Sequence, residues 1–360
     1  MFFYLCVDCG GTKTAAAISD ASGNIIGRGS AGPSNITYLP VDDFIRAITE
    51  AVGAALKQTN PSIVFPPASP EQRPFAAAWF GISGADSPAA IAKVEDLLAK
   101  LLRIPVGPDL LIANDTHLLA SPLRFHPDLK QLVAVIAGTG SIVVSFKQVD
   151  ERILEVARVG GWGWILGDEG GGYDVGRETI RQILFLHDKS TVDGAPMPRS
   201  ELVDRVLQKF GAASVMELLG VVYLPDPVSR SDQSASQVGT PQSLAREGRI
   251  ASLSPLVFEA AFEGRDPVAL GILKSTASNL ASQIAVVLGD TIVASSAAPN
   301  IVEADASVIS FGGSLVRDTR YRDMLLEDLA RRGHTFKHVT FIDDVSASGA
   351  EGLAKAYASS

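Results

Sequence analysis

Two short glycine-containing turns, each set between apolar strand-like segments, constrain the fold of this chain more than any other feature. The first turn covers residues 8–14 (Asp-Cys-Gly-Gly-Thr-Lys-Thr) and the second residues 137–141 (Ala-Gly-Thr-Gly-Ser). Each leads from one predicted strand into two more, and these strands fall at 2–8, 14–19 and 24–29, and at 132–137, 141–146 and 153–159. Three antiparallel strands with similar turn chemistry thus occur twice, about 130 residues apart, which predicts a structural duplication.

Helix and strand patterns alternate after each three-stranded unit, as in α/β folds. In the first half, apolar spacing predicts helices near 43–57 and from Ser87-Pro88, and strands at 76–82 and 110–113. In the second half we expect helices from 171–173, within 200–220 and within 244–289, strands at 307–311 and 335–342, and a helix at 348–357. The polar stretch 225–243 predicts a loop.

The composition of the chain disfavours some classes of binding partner. The chain has 360 residues, of which 46% are hydrophobic and 20% charged, as in globular proteins. Its net charge of −9 disfavours nucleic acid and anionic membranes as partners, because both require a positive protein surface. Cys6 and Cys9 are too few for a disulfide scaffold, which favours a cytoplasmic protein. They also point to opposite faces of one strand, so a shared metal or redox role is disfavoured.

The chemistry of the two turns is suited to phosphate. Glycine lets backbone N–H groups approach phosphate oxygens closely, as Gly10, Gly11, Gly138 and Gly140 could do. Thr12, Thr14, Thr139 and Lys13 add hydroxyl donors and one positive charge. Each turn alone is equally compatible with a plain hairpin. Their repetition favours one split phosphate clamp, and hence a nucleotide-dependent phosphotransferase or ATPase that binds ATP.

Two aspartates follow predicted strands near these turns. Asp8 lies beside the first glycines, where a carboxylate among phosphates is explained by a bridging Mg²⁺ ion, or else by a simple turn cap. Asp115 follows the strand 110–113, at the sheet edge where α/β folds bind ligands. It could accept the proton of an attacking hydroxyl group, although Asn114-Asp115-Thr116 could equally cap the next helix.

Two further glycine-rich segments remain. Residues 160–172 combine seven glycines with Trp162, Trp164, Asp168 and Glu169, a composition typical of a loop that wraps a sugar ring. The alternative is a glycine-rich connector with tryptophan in the core. Residues 312–314 (Gly-Gly-Ser) follow a buried strand and could lie against an adenine or ribose, or form an ordinary turn.

His117 is expected on a helix surface.

Taken in order, these motifs resemble the sugar kinase/Hsp70/actin superfamily. The order is Asp-x-Gly-Gly-Thr-Lys, Gly-x-Ser-Gly, Asn-Asp, Gly-Thr-Gly-Ser, Gly-Gly-Trp-Gly…Gly-Asp-Glu-Gly and a late Gly-Gly-Ser. Within that superfamily the chain resembles the eukaryotic N-acetylglucosamine kinases and the BadF/BadG-type ATPases. The resemblance implies two ribonuclease-H-like (actin-like ATPase) lobes, with a nucleotide and sugar cleft between them. Residues 1–120 would form the N-terminal lobe and residues 121–344 the C-terminal lobe, and a C-terminal helix at about 345–360 would pack back on the first lobe.

The resemblance also implies residue roles. The ATP-binding residues would be Asp8, Gly10, Gly11, Thr12, Lys13, Gly138, Thr139, Gly140, Gly312 and Gly313, with Asp8 as the Mg²⁺ ligand. The sugar-binding residues would be Asn35, Ser83, Asn114, Asp115, Gly161, Trp162, Gly163 and Asp168, with Asp115 as the catalytic base. The family has glycine at the position of Cys9.

The expected activity is therefore phosphorylation of N-acetyl-D-glucosamine at the 6-hydroxyl group, with ATP and Mg²⁺ as cofactors. A kinase of glucosamine or of another amino sugar, and a non-catalytic sugar sensor, are the alternatives. We expect a homodimer whose partners are a small sugar and ATP, with neither nucleic acid nor membrane.

Overall fold

A computed structural model describes residues 3–11, 13–149, 152–227, 240–289 and 298–358. The predictions for Thr12 and for residues 228–239 of the polar loop therefore lie outside the described residues. Across the described ranges, no helix is both long and apolar enough to cross a membrane.

The first half of the chain forms a five-stranded mixed sheet. Its strands are β1 (Phe3–Cys9), β2 (Thr14–Ser19), β3 (Ile25–Ala31), β4 (Phe75–Ile82) and β5 (Leu110–Ala113), in the order β3-β2-β1-β4-β5. The first three strands are antiparallel, and β4 and β5 run parallel to β1. Helices α1 (Val41–Thr59) and α2 (Pro88–Leu102) pack their apolar faces on this sheet and form the first core. As predicted, the Ser87 side chain caps α2 by accepting the Ala90 N–H.

The second half repeats this topology. Its strands are β6 (Gln131–Ala137), β7 (Ser141–Val149), β8 (Arg152–Gly160), β9 (Ser307–Gly312) and β10 (His338–Phe341), in the order β8-β7-β6-β9-β10. Again the first three are antiparallel and the last two are parallel to the first. The two sheets thus have the same strand order and directions, which confirms the duplicated α/β fold.

The helices of the second half are more broken than predicted. They are α3 (Gly172–Asp193), α4 (Glu201–Phe210), α5 (Leu218–Val222), α6 (Arg246–Ala251), α7 (Ser254–Phe262), α8 (Pro267–Val287) and α9 (Thr319–Arg331). The predicted segment 244–289 contains three helices because prolines in the first turns of α7 and α8 cannot continue a preceding helix. The sequence analysis missed α9, whose first N–H groups are capped by Asp318.

Two segments connect the sheets. The 3-10 helix Asp115–Phe125 contributes Leu118 to a cluster with Cys6 of the first sheet, and Leu119 to a cluster with β6 and β9 of the second. The C-terminal helix α10 (Val345–Ala358) packs on the first sheet, where Ser19 Oγ donates to the Ala350 carbonyl oxygen at 2.9 Å. The outer face of the first sheet is therefore covered by the end of the chain.

The two cysteines lie in the interior as separate thiols. Both are buried, and they belong to different clusters, Cys9 under the α1–α2 face and Cys6 under α10. The structure confirms that they point to opposite faces of β1, although Cys9 is a core residue and not an exposed turn residue.

Candidate functional site

Strand ends from both sheets converge on one cavity of about 410 Å³. The first sheet contributes the ends of β4 and β5, and the second sheet contributes the turn between β6 and β7. Parallel strands place their carboxyl ends at a common edge, so these residues meet although they are distant in sequence. The predicted site residues that line this cavity are Asn35, Ser83, Asn114, Asp115, Gly138, Thr139, Gly140, Gly161 and Asp168.

The Asp115 carboxylate is held in place by its neighbours. The Ser83 hydroxyl donates a short hydrogen bond to its carboxylate. Burial raises the pKa of Asp115, and hydrogen bonds from Ser83 and the Thr116 backbone lower it by less. The cap of the following 3-10 helix is Asn114, whose Oδ1 accepts from Thr116 N at 3.0 Å and from Thr116 Oγ1 at 2.8 Å. The helix cap that the sequence assigned to the segment 114–116 is therefore the Asn114 side chain.

Asp8 lines a neighbouring cavity of about 710 Å³ together with Lys13. The pKa of Asp8 is raised to about 6, chiefly by burial and also by the Asp115 and Asp344 carboxylates, while Lys13 lowers it. A buried carboxylate that other carboxylates destabilise is suited to a divalent cation, which neutralises the repulsion. In the described part of the chain, no group of three or more His, Cys, Asp or Glu is arranged around a metal position. A Mg²⁺ ion at Asp8 would therefore take phosphate oxygens and water as its other ligands.

The first hairpin, at residues 8–14, is closed by a hydrogen bond from Gly10 N to the Lys13 carbonyl oxygen at 3.0 Å. The exposed Tyr38 hydroxyl donates to the Gly11 carbonyl oxygen at 3.1 Å. Thr14 is not available as a phosphate donor, because its buried hydroxyl lies 2.7 Å from both Gly32 O and Ser34 Oγ. The interpretation of Thr14 as a phosphate ligand was therefore wrong.

The second hairpin, at residues 137–141, is anchored to the start of α3. Its carbonyl groups accept from the helix, with Gly172 N donating to Gly138 O at 2.8 Å and Tyr173 N donating to Thr139 O at 2.9 Å. Because the carbonyl groups are used in this way, the hairpin is fixed against the helix while Gly138, Thr139 and Gly140 line the cavity.

Asp168 braces the second hairpin from the other side. Its Oδ1 accepts from Ser141 N at 3.2 Å, and a Cβ atom on Gly140 would lie 2.7 Å from its carboxylate. Asp168 also has a φ of +66°, a left-handed conformation that is uncommon for residues other than glycine but that aspartate and asparagine adopt more readily than most. Burial raises the pKa of Asp168, which the Ser141 N–H opposes. Sequence alone assigned it only to the sugar, and the structure also gives it a role in holding the hairpin.

Other predicted residues lie outside this cavity. Trp162 is 69% exposed, and neither it nor Gly163 is among the described residues that line it. Gly313 has a φ of +100°, and a Cβ atom there would lie 2.5 Å from the Ala137 carbonyl oxygen. Packing against Ala137 therefore explains why residue 313 is a glycine, whether or not adenosine binds nearby. Gly312 ends β9 and is buried.

A pair of charged residues at the cavity was missed by the sequence analysis. Arg158 of β8 lies 3.3 Å from Asp86, which follows β4, and Asn114 Nδ2 donates to the same Asp86 oxygen at 2.8 Å. Arg158 also donates to the Gly161 carbonyl oxygen at 3.4 Å. The pair joins the two sheets beside Asp115. The position of Asp86 just after the Gly-x-Ser-Gly motif was the one available signal.

His117 was expected on a helix surface, and the structure corrects this. Its Nε2 lies 3.3 Å from the Glu155 carboxylate, and its ring packs edge-on against Phe146 at 4.8 Å between centroids. His117 therefore lies between the connecting helix and the second sheet.

Duplicated sheets with a glycine hairpin at equivalent positions, and carboxylates between them, define an actin-like ATPase fold of the sugar kinase type. The model of the BadF/BadG/BcrA/BcrD ATPase family matches residues 5–339, and the chain belongs to that family.

Three characterised relatives share this sequence pattern. An N-acetyl-D-glucosamine kinase of Dictyostelium discoideum is 26% identical, over 77% of this chain and 76% of its own length. A glucosamine kinase of Vibrio cholerae is 24% identical, over 78% of each chain. An N-acetylmuramic acid/N-acetylglucosamine kinase of Clostridium acetobutylicum is 29% identical, over 52% of this chain and 56% of its own length.

Solved structures share the fold over the whole length. A candidate N-acetylglucosamine kinase from Chromobacterium violaceum has a TM-score of 0.61 at 20% identity, with 98% of this chain and 99% of that one covered. A ROK family glucokinase from Streptomyces griseus has a TM-score of 0.54 at 16% identity, with 98% of both chains covered.

Proposed function

We propose that this chain catalyses the ATP-dependent phosphorylation of N-acetyl-D-glucosamine at the 6-hydroxyl group, giving the 6-phosphate and ADP. The observation that carries this proposal is the cavity in which the half-buried Asp115 carboxylate and the second glycine hairpin lie together. A sugar hydroxyl between them has a proton acceptor and a phosphoryl donor within one space. The names of the three relatives, all kinases of amino sugars, support this acceptor.

Asp115 accepts the proton of the sugar hydroxyl as its oxygen attacks phosphorus. A raised pKa suits this role, because a carboxylate with a higher proton affinity is a stronger base. Ser83 orients the carboxylate through its hydrogen bond. Asn35 uses its Oδ1 to accept from Thr37 N at 2.8 Å, which leaves its NH₂ group to donate to the sugar.

Gly161 and Asp168 complete the sugar-binding wall, with Asn114 beside Asp115. Trp162 stays a proposed sugar contact, which requires its loop to move toward the cavity. Movement of such a loop over the substrate would exclude water from the phosphoryl group.

The two hairpins hold the nucleotide in this proposal. Gly10, Gly11 and Lys13 on one side and Gly138, Thr139 and Gly140 on the other donate to its phosphates, and Asp8 binds Mg²⁺. The metal, when bound, supplies positive charge that neutralises the phosphates. Gly312 and Gly313 lie near the adenosine in the same proposal. The homodimer and the cytoplasmic location stay predictions.

ADP release measured across a panel of sugars tests the proposal against its alternatives. The panel is N-acetyl-D-glucosamine, glucosamine, N-acetylmuramic acid and glucose, each with and without Mg²⁺. We expect the highest kcat/KM for N-acetyl-D-glucosamine. A preference for glucosamine would favour the first alternative. Binding of a sugar without turnover of any sugar would favour the sensor and contradict the kinase.

A further inference from the structure

The cavity that contains Asp115 has an unequal balance of charged side chains. Among the described residues that line it, the charged ones are Asp86, Asp115, Asp168 and Arg158. The Arg158 guanidinium lies 3.3 Å from the Asp86 carboxylate, so these two charges balance each other. The carboxyl groups of Asp115 and Asp168 have no basic partner in the described part of the cavity wall. The wall that would surround the sugar therefore has an excess of acidic groups.

Acidic groups beyond the cavity wall have the same sign. Burial is the main cause of the raised pKa of Asp8, and the Asp115 carboxylate raises that pKa further. Burial likewise raises the pKa of Glu247, and the Asp168 carboxylate adds to it. Lys13 lowers the pKa of Asp8 and so offsets one of these charges. The charges around the acceptor position therefore give a negative potential, on a chain whose net charge is also negative, at −9.

Asp86 occupies the one arginine in this wall. Its Oδ1 accepts from Arg158 Nη1 at 3.3 Å and from Asn114 Nδ2 at 2.8 Å. Arg158 Nη2 donates to the Gly161 carbonyl oxygen at 3.4 Å, so both arms of the guanidinium are engaged. The side chains of Arg158 and Asp86 are 35% and 54% exposed, which leaves the pair accessible from the cavity. A carboxylate on a ligand would therefore have to compete with Asp86 for Arg158.

We propose that the acceptor site selects uncharged and cationic amino sugars over acidic ones, and that Asp86 is the residue that determines this specificity by neutralising Arg158. The inference rests on the proposed kinase function and adds the charge of the substrate to it. An acidic amino sugar such as N-acetylmuramic acid would bring its carboxylate among like charges, within the roughly 8 Å over which charges interact at physiological salt. Such repulsion excludes a wrong substrate without weakening the contacts made to the right one.

Asp86→Asn tests this assignment, because it removes one charge with little change of shape. An amide oxygen can still accept from Asn114 and Arg158, but the Arg158 charge is then no longer balanced. Two ratios of kcat/KM are measured at about pH 6.5, where the glucosamine amine is cationic. In the variant, the ratio of glucosamine to N-acetyl-D-glucosamine should fall about three- to tenfold. The ratio of N-acetylmuramic acid to its uncharged methyl ester should rise by a similar factor.

Two further variants show whether the effect comes from the Arg158 charge. Asp86→Asn combined with Arg158→Gln removes both members of the neutral pair, so both ratios should return to within about twofold of the wild-type values. The matched control is Asp96→Asn, which removes an exposed aspartate of α2 that does not line the cavity. This control should leave both ratios unchanged.

A glucosamine ratio that does not fall in Asp86→Asn overturns the inference, whatever the two muramic sugars do. A wild-type protein that uses the acid as well as its methyl ester overturns it too. The absence of turnover with every sugar would instead contradict the proposed kinase. The same ratios are then taken from dissociation constants measured by calorimetry, so the charge specificity is judged separately from catalysis.

Discussion

The two glycine hairpins occupy equivalent positions in duplicated sheets, yet they differ in how they are held. The second hairpin is fixed by α3 through Gly138 and Thr139 and by Asp168 through Ser141. The first hairpin carries the charges, Asp8 and Lys13. The two hairpins therefore have similar positions but different contacts, and in the proposed function the second would bind phosphate through its backbone N–H groups while the first would add the charged side chains.

The carboxylate between the hairpins should have the largest effect. Asp115→Asn keeps the size of the side chain but removes the proton acceptor, so we expect kcat to fall about 10²- to 10⁴-fold. ATP affinity should be unchanged, since Asp115 does not belong to either hairpin. Steady-state kinetics with equilibrium binding of AMP-PNP measures both. If kcat stayed near the wild-type value, Asp115 would not be the base.

Asp8 should destabilise the fold when its carboxyl group is ionised, although the proposed binding of Mg²⁺ requires the ionised form. Its folded pKa of about 6 is above the unfolded value of 3.8, so this carboxyl group stabilises the fold below pH 3.8, and that contribution is lost as the pH rises through about 6. At pH 8, Asp8→Asn should raise the free energy of unfolding by up to about 3 kcal/mol.

The same substitution should abolish Mg²⁺-dependent turnover. Thermal melts at pH 5 and pH 8, paired with ADP release, check both expectations. Asp20→Asn is a contrasting substitution, because hydrogen bonds from Asn24 and Ser22 lower the pKa of that exposed carboxyl group, and its removal should reduce stability at pH 8. A loss of stability at pH 8 in the Asp8 variant would contradict the account of this charge.

A single methyl group should distinguish the second hairpin, which packs against Asp168, from the first hairpin. A Cβ atom on Gly140 would lie 2.7 Å from the buried Asp168 carboxylate, whereas one on Gly11 would meet only the hydroxyl of the exposed Tyr38, at 2.9 Å. We expect Gly140→Ala to cost about 1–3 kcal/mol of unfolding free energy, and Gly11→Ala much less, because Tyr38 can move. Chemical denaturation of both variants measures the difference, and equal costs would show that the hairpins are held alike.

The smallest effect is expected at Lys13. Lys13→Gln should raise the KM for ATP about three- to tenfold, since one partly screened charge contact to phosphate is lost. It should also move the acid limb of the kcat/KM profile to higher pH, because Lys13 lowers the pKa of Asp8. Lys57→Gln, at the end of α1, is a control outside the site. If the acid limb of the profile stayed unchanged, Lys13 would not influence the pKa of Asp8 in the active protein.

Local patterns predicted much of this fold. Apolar alternation and the glycine turns located the three-stranded units, and the Ser87-Pro88 pair located the start of α2. The helix α9 was missed although Tyr321, Leu325 and Leu329 repeat every four residues and face the core. Its other positions are largely charged, which reduces the apolar signal of a short helix.

The site was predictable where it follows strand ends and less so where it depends on contacts between distant segments. Asp115 and the hairpins lie at strand ends, so the topology brings them together. The Arg158–Asp86 pair joins residues 72 positions apart in sequence, and no local pattern indicates it. The double role of Asp168 likewise depends on the packing of Gly140 against it.

The position of the phosphoryl group on the product tests the central claim most directly. The wild-type protein is incubated with ATP, Mg²⁺ and N-acetyl-D-glucosamine, and the product is examined by a two-dimensional proton–phosphorus correlation. The account predicts that phosphorus correlates with the two protons on carbon 6, and that Asp115→Asn forms almost no product. Correlation with the proton on another carbon, or equal product from the variant, would contradict it.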